Sequence, residues 1–150
     1  FSIVEGDFNK TEWYKPISQP VSVVVSAIAL HYLRTECRSS FFDGVYEFLE
    51  KPGYFAIGAS FDSEHEFIQE VCFNKQLEYT QKQLLEMEGQ KVSLERLREK
   101  RRAESEKAGV NRLMLGEQMR LLQQAGFEHV EIVWRYLSVA VVAAFKADTG

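Results

Sequence analysis

These 150 residues contain little cysteine and no excess of positive charge. The two cysteines, Cys37 and Cys72, are far apart and outside any CxxC or Cys/His spacing, which excludes a disulfide framework and a zinc module. Both sit among apolar residues at helical spacing and read as buried thiols. Lysine and arginine number 18 against 22 aspartates and glutamates. A formal net charge of -4 gives no field that would draw in a phosphate backbone, so bulk nucleic-acid binding is excluded. Long apolar runs are missing too. The longest, residues 21–33, is interrupted by Ser22, Ser26 and His31 and falls short of the ~18–20 apolar residues that cross a bilayer. A soluble, cytoplasmic protein without membrane contact is expected. The chain opens on Phe-Ser-Ile-Val, with neither an initiator methionine nor a signal-peptide pattern, and reads as part of something longer.

Against these absences stand 45% hydrophobic and 13% aromatic residues, enough for one packed domain. Residues 1–4 are β-rich and stop at Gly6-Asp7, where the chain can turn. Residues 21–28 (VSVVVSAI) have the near-continuous valine of a central strand buried on both faces. Between residues 35 and 49, Cys37, Phe41, Phe42, Val45, Tyr46 and Leu49 recur at spacings of three and four, predicting an amphipathic helix that Lys51-Pro52-Gly53 ends. A second buried strand follows over residues 54–60, completing a βαβ unit.

Residues 63–108 are polar and rich in helix formers, with Gly89 dividing them into two helices. The basic run at 96–102 is interleaved by Glu95, Glu99, Glu104 and Glu106 and reads as a solvated helix face. A short helix at 117–125 ends at Gly126, and segments 129–134 and 139–145 alternate as an antiparallel pair of strands. The leucines of residues 81–107 do not keep a heptad, which sets aside a coiled coil.

Four stretches in this order resemble the second half of class I S-adenosylmethionine-dependent methyltransferases. They are VEGDF at 4–8, VVVSAIALHYL at 23–33, EKPGYFAIG at 50–58 and LLQQAGFEHVEIVWRYLSVAVVAAFK at 121–146. The resemblance implies an α/β fold: a partial Rossmann-like methyltransferase sheet that ends in an antiparallel β-hairpin and carries a helical insertion. Residues 1–150 would form a single such domain, with residues 62–108 as a helical lid or cap inside it. The first strands of the family and their glycine-rich cofactor loop are not among these residues. Their contribution would come from an N-terminal half of the same domain or from another chain.

The resemblance also implies S-adenosylmethionine as cofactor, a small-molecule acceptor, and roles for particular residues. Asp7 would accept a hydrogen bond from the adenine amino group, with Phe8 packed on the ring; otherwise Asp7 caps a turn. Trp13 either covers the adenine or closes the core. Ser26, Ala27 and Ile28 end the valine strand, and ligands in open α/β sheets sit beyond the carboxyl ends of strands, so their backbone would line the cofactor site. His31 would serve as a general base or substrate contact, or else pack at the start of the next helix, and Tyr32 shares that ambiguity. Phe67, Phe73 and Tyr79 would form the inner wall of the lid, a spacing that ordinary helix packing also satisfies. Trp134, Arg135 and Tyr136 are assigned to core filling. His65 with Glu64 or Glu66 reads as solvated rather than metal-binding.

Two functions from different classes follow. One is methyl transfer to a small molecule by an enzyme, or part of one, completed elsewhere. The other is a non-catalytic methyltransferase-like scaffold or homodimerisation module, since a sheet without its early strands exposes an edge.

Overall fold

The computed structural model describes residues 3–17, 19–108 and 111–148. The chain divides into two compact units: Phe1–Phe61 with Asn111–Gly150, and Asp62–Val110. In chain order the elements are β1 (Val21–Ala27), α1 (Arg38–Phe48), β2 (Leu49–Ser60), α2 (Glu66–Glu88), α3 (Leu94–Ala108), α4 (Leu115–Gln124), β3 (Glu128–Tyr136) and β4 (Val139–Lys146). Two single 3-10 turns, Leu30–Tyr32 and Thr35–Cys37, lead from β1 into α1.

The first unit is a four-stranded mixed sheet in the order β1-β2-β4-β3. β1 and β2 run parallel, with Val24 opposite Phe55 and Ala27 opposite Gly58. Parallel neighbours cannot be joined by a tight turn, and α1 supplies the required crossover. β4 is antiparallel to both β2 and β3, and the β3–β4 hairpin closes through Leu137 and Ser138. Alternation puts Phe55, Ile57 and Ala59 of β2 on the same face as Ala140, Val142 and Ala144 of β4. They form one core with Phe41, Phe42 and Val45 of α1 and Leu122 of α4.

The opposite face of this sheet is bare. Val23, Val25, Tyr54, Trp134, Tyr136 and Val139 are all exposed, Val25 to 69%. Among the described residues β1 therefore has a strand partner on one side and one covered face, where a central strand buried on both faces was expected. A continuous apolar run shows that a strand is compatible with two-sided burial, whereas coverage depends on what packs against it. The same bare face holds Trp134 and Tyr136 out of the core, with Arg135 also exposed, which corrects the core-filling assignment.

Several boundaries also shift. Ile3 and Val4 are exposed and carry no strand pairing; Phe1 and Ser2 lie outside the described residues. The helix begins at Arg38, after a 3-10 turn, and Leu49 already belongs to β2. Lys51-Pro52-Gly53 sits inside β2 as an irregularity: Val21 pairs with Leu49 and Val23 with Tyr54, so the intervening residues bulge out of register. The short helix runs from Leu115 to Gln124. Cys37 is only half-buried, whereas Cys72 is buried.

Two buried cations tie the elements together. Arg38 is 1% exposed; its guanidinium donates to the Arg112 carbonyl at 2.7 Å and pairs with Glu117 at 3.3 Å. Burial pulls its pKa down, and the Glu117 charge partly restores it. Lys146, at the end of β4, donates to the carbonyls of Tyr46 at 2.5 Å and Leu49 at 2.6 Å, beneath the Tyr46 ring. These carbonyls lie where α1 runs out of intrahelical donors, so the ammonium group caps the helix.

In the second unit α2 and α3 bury Cys72, Leu77 and Leu97. Gly89, with φ of 65°, ends α2 where the division was expected. Arg98 pairs with Glu70 at 2.7 Å, donates to Asn74 and lies over the Phe73 ring. Within the basic run, Lys100 pairs with Glu104 at 3.9 Å on an exposed face.

Gly126 has φ of 102°, and a Cβ there would lie 3.1 Å from the Tyr46 ring. Gly126→Ala should lower stability by about 1–2 kcal/mol, read as a lower urea midpoint at unchanged slope. Lys146→Met, which leaves two carbonyls without their donor, should cost about 1–3 kcal/mol in the same measurement.

Candidate functional site

The segment before β1 packs as a loop against α1. Trp13 stacks on Phe41 with ring centroids 5.2 Å apart, and Phe8 meets the same ring edge-on at 6.0 Å. The helix admits these rings because residue 44 is glycine: a Cβ there would come within 2.8 Å of Tyr14 and 3.3 Å of Trp13. Tyr14 donates to Glu47 at 2.5 Å and locks the loop to α1. That hydrogen bond, then burial and the Glu47 charge, push the Tyr14 pKa up to about 12.

Between the loop and β1 lies a cavity of about 240 Å³, lined among others by Gly6, Phe8, Trp13, Val24, Ser26 and Phe41. Three residues singled out from the sequence, Phe8, Trp13 and Ser26, thus meet in one space. Gly6, Val24 and Phe41 join them without having been singled out. Val24 belonged to a near-continuous valine run that marked no face, and Phe41 was read only as a helix core position. Asp7 lies between two lining residues. Its Oδ1 accepts from the Asn9 backbone at 3.0 Å and from the Asn9 side chain at 3.3 Å, and these bonds hold its carboxyl below the usual range. One oxygen of the Asp7 carboxylate therefore caps a turn.

The walls are largely aromatic and aliphatic, with Ser26 as a polar side chain among them. The volume falls below the ~300–1,000 Å³ usual for whole drug-sized ligands.

Past β1, Ala27 is exposed and Ile28 turns the chain, its N–H donating to the Gly58 carbonyl at 2.8 Å. His31 and Tyr32 follow on the 3-10 turn with ring centroids 4.0 Å apart, His31 half-buried and Tyr32 exposed. The His31 carbonyl accepts the Asn111 N–H at 2.9 Å, which anchors the turn. All these residues gather at the carboxyl end of β1, where open α/β sheets hold ligands.

In the helical unit, Phe67 and Tyr79 are exposed, whereas Phe73 is half-buried beneath Arg98 and serves the packing of α2 on α3. An open groove of about 1020 Å³ there mixes Lys91, Arg96 and Lys100 with Glu88 and Glu99, so neither sign of charge converges on it. Among the described residues, no helix is long and apolar enough to cross a membrane.

The fold itself is that of the C-terminal part of a Rossmann-like, class I S-adenosylmethionine-dependent methyltransferase. An O-methyltransferase family protein from Burkholderia thailandensis superposes on 99% of this chain with a TM-score of 0.62 and 8% identity. Human N-acetylserotonin methyltransferase, in complex with SAM, covers 97% at a TM-score of 0.55 and 15% identity. PigF with SAH covers 95% at 0.53 and 15% identity. The chain spans only 33–36% of the length of these three structures. No protein-family model matches the sequence, and no curated protein matches it.

The Tyr14–Glu47 bond gives this loop a pH signature. A phenol whose folded pKa exceeds its unfolded value near 10 adds stability that is complete below pH 10 and is lost as pH rises through 12. Absorbance titration should show one phenol ionising near 12, and Glu47→Gln should return it toward 10.

Proposed function

We propose that this chain is the C-terminal half of a domain that transfers a methyl group from S-adenosylmethionine to a small-molecule acceptor in the cytoplasm. Its N-terminal half would be supplied by the same polypeptide or by another chain. The observation that carries this reading is the aromatic cavity at the carboxyl end of β1, in a fold otherwise shared with cofactor-bound methyltransferases. The bare apolar sheet face and the free edge of β1 support it, because both require cover from elements of an α/β half.

When bound, the cofactor supplies an electrophilic methyl group on a sulfonium. Phe8 and Trp13 would hold the adenine, and Asp7 would accept from its amino group. The backbone of Ser26, Ala27 and Ile28 forms the shelf beside it. His31 would take a proton from the acceptor's nucleophile, and Tyr32 would contact the acceptor. The helical unit carries acceptor-binding side chains, Phe67 and Tyr79, which the packing of α2 on α3 leaves exposed; Phe73 supports them from within that unit.

The bare face also favours a second reading, a non-catalytic module that pairs with another copy of itself. Calorimetry with S-adenosylhomocysteine separates the two. The chain joined to its upstream residues should bind, and Asp7→Ala should weaken binding by about tenfold, in line with loss of a charged hydrogen bond. No binding, together with a stable dimer in light scattering, would remove the enzymatic reading.

A further inference from the structure

The outward side of α2 carries a row of exposed residues, Ile68, Val71, Lys75, Glu78, Lys82 and Leu85, spaced alternately by three and four. That spacing keeps them on one stripe of the helix and makes two interleaved seven-residue repeats, 68-75-82 and 71-78-85. The opposite side of α2 is engaged with α3, with Leu77 buried and Phe73 beneath Arg98. The row runs about 26 Å along the helix at 1.5 Å per residue. Apolar residues hold both of its ends, Ile68 and Val71 at one and Leu85 at the other. Its centre is charged, and there Lys75 pairs with Glu78 of the same helix at 2.7 Å. Phe67 and Tyr79 lie beside the row and not in it.

Charge decides how such a row can meet a second copy of itself. With the two helices parallel, every level faces its own kind, so Lys75, Glu78 and Lys82 would each oppose a like charge. With the helices antiparallel, the two-fold axis falls between Gln76 and Leu77. The levels then become Ile68 with Leu85, Val71 with Lys82 and Lys75 with Glu78, and symmetry repeats each of them. Both ends bury apolar side chains against each other. The Lys82 stem lies along Val71 while its ammonium group reaches water. The centre closes on opposite charges.

We propose that this row is a self-recognition surface, through which two copies of the chain associate by antiparallel α2 helices. The surface is separate from the bare sheet face, and the proposal does not draw on the methyltransferase reading. One helix stripe per copy is small for a specific interface, so association in the micromolar range is expected.

Sedimentation velocity on the chain joined to its upstream residues tests the pairing. The parent should dimerise, and Lys75→Glu or Glu78→Lys alone should each weaken the dimer roughly tenfold, because the central level becomes like-charged. Mixed in equal amounts, the two variants should associate again, since one then carries two negative charges at the centre and the other two positive. Loss of the Lys75–Glu78 pair within one helix cannot produce that recovery, because mixing restores it in neither chain. A second variant reads the register independently. Ile68→Cys with Leu85→Cys in one chain, too far apart along the helix to bridge within it, should form a covalent dimer under glutathione disulfide. A monomeric parent would overturn the proposal. So would a parent dimer that the single charge variants leave unchanged, a mixture that stays monomeric, or an oxidised double-cysteine variant that stays a single chain. Cofactor binding plays no part in these outcomes, so the methyltransferase reading stands or falls separately.

Discussion

The parallel pairing of β1 with β2 constrains everything on the ligand side of the first unit. Two strands pointing the same way oblige the chain to travel back along the full length of the sheet, and α1 makes that journey over one face. Once α1 is placed, the loop of residues 3–17 has a surface to lie on, with Gly44 leaving room for its rings. The two strands finish at the same end, so the bond from Ile28 to Gly58 fixes where the chain leaves β1. The cavity and the His31–Tyr32 turn inherit their positions from that ladder.

The sheet is asymmetric in a way that bears on assembly. One face is packed by α1 and α4, with Phe42, Val45 and Leu122 fully buried. The other presents valines, tyrosines and a tryptophan to solvent across all four strands. It continues to the edge of β1, whose backbone donors and acceptors on that side have no strand partner among the described residues.

Much of this architecture was legible in the residues. Valine density at 21–28, alternation at 129–145 and three-four spacing in the segment around Phe41 correctly gave strand, hairpin and crossover helix. The edge position of β1 was not legible, because a strand's sequence reports what it can bury against and not what is there. The outward placement of Trp134 and Tyr136 escaped for the same reason. Arg38 and Lys146 escaped differently: charged side chains are buried only where carbonyls and a carboxylate converge, and those partners lie 74 to 100 residues away. At the candidate site, Phe8, Trp13 and Ser26 were found from a family resemblance, while Phe41 had the pattern of any core residue.

The sheet order has a consequence for how the first unit is made. β4 is the last of the described strands, yet it lies between β2 and β3 and holds both in place. On the ribosome, β2 would emerge with only β1 beside it and β3 with no partner strand, and the unit stays open until β4 follows. Its lysine then reaches back across nearly 100 positions to close off α1. Contacts so distant in sequence make assembly slow and leave apolar strands uncovered meanwhile. For a nascent protein of this design, the interval between synthesis of β2 and arrival of β4 is the period of greatest exposure to aggregation, and the one in which a chaperone has most to hold.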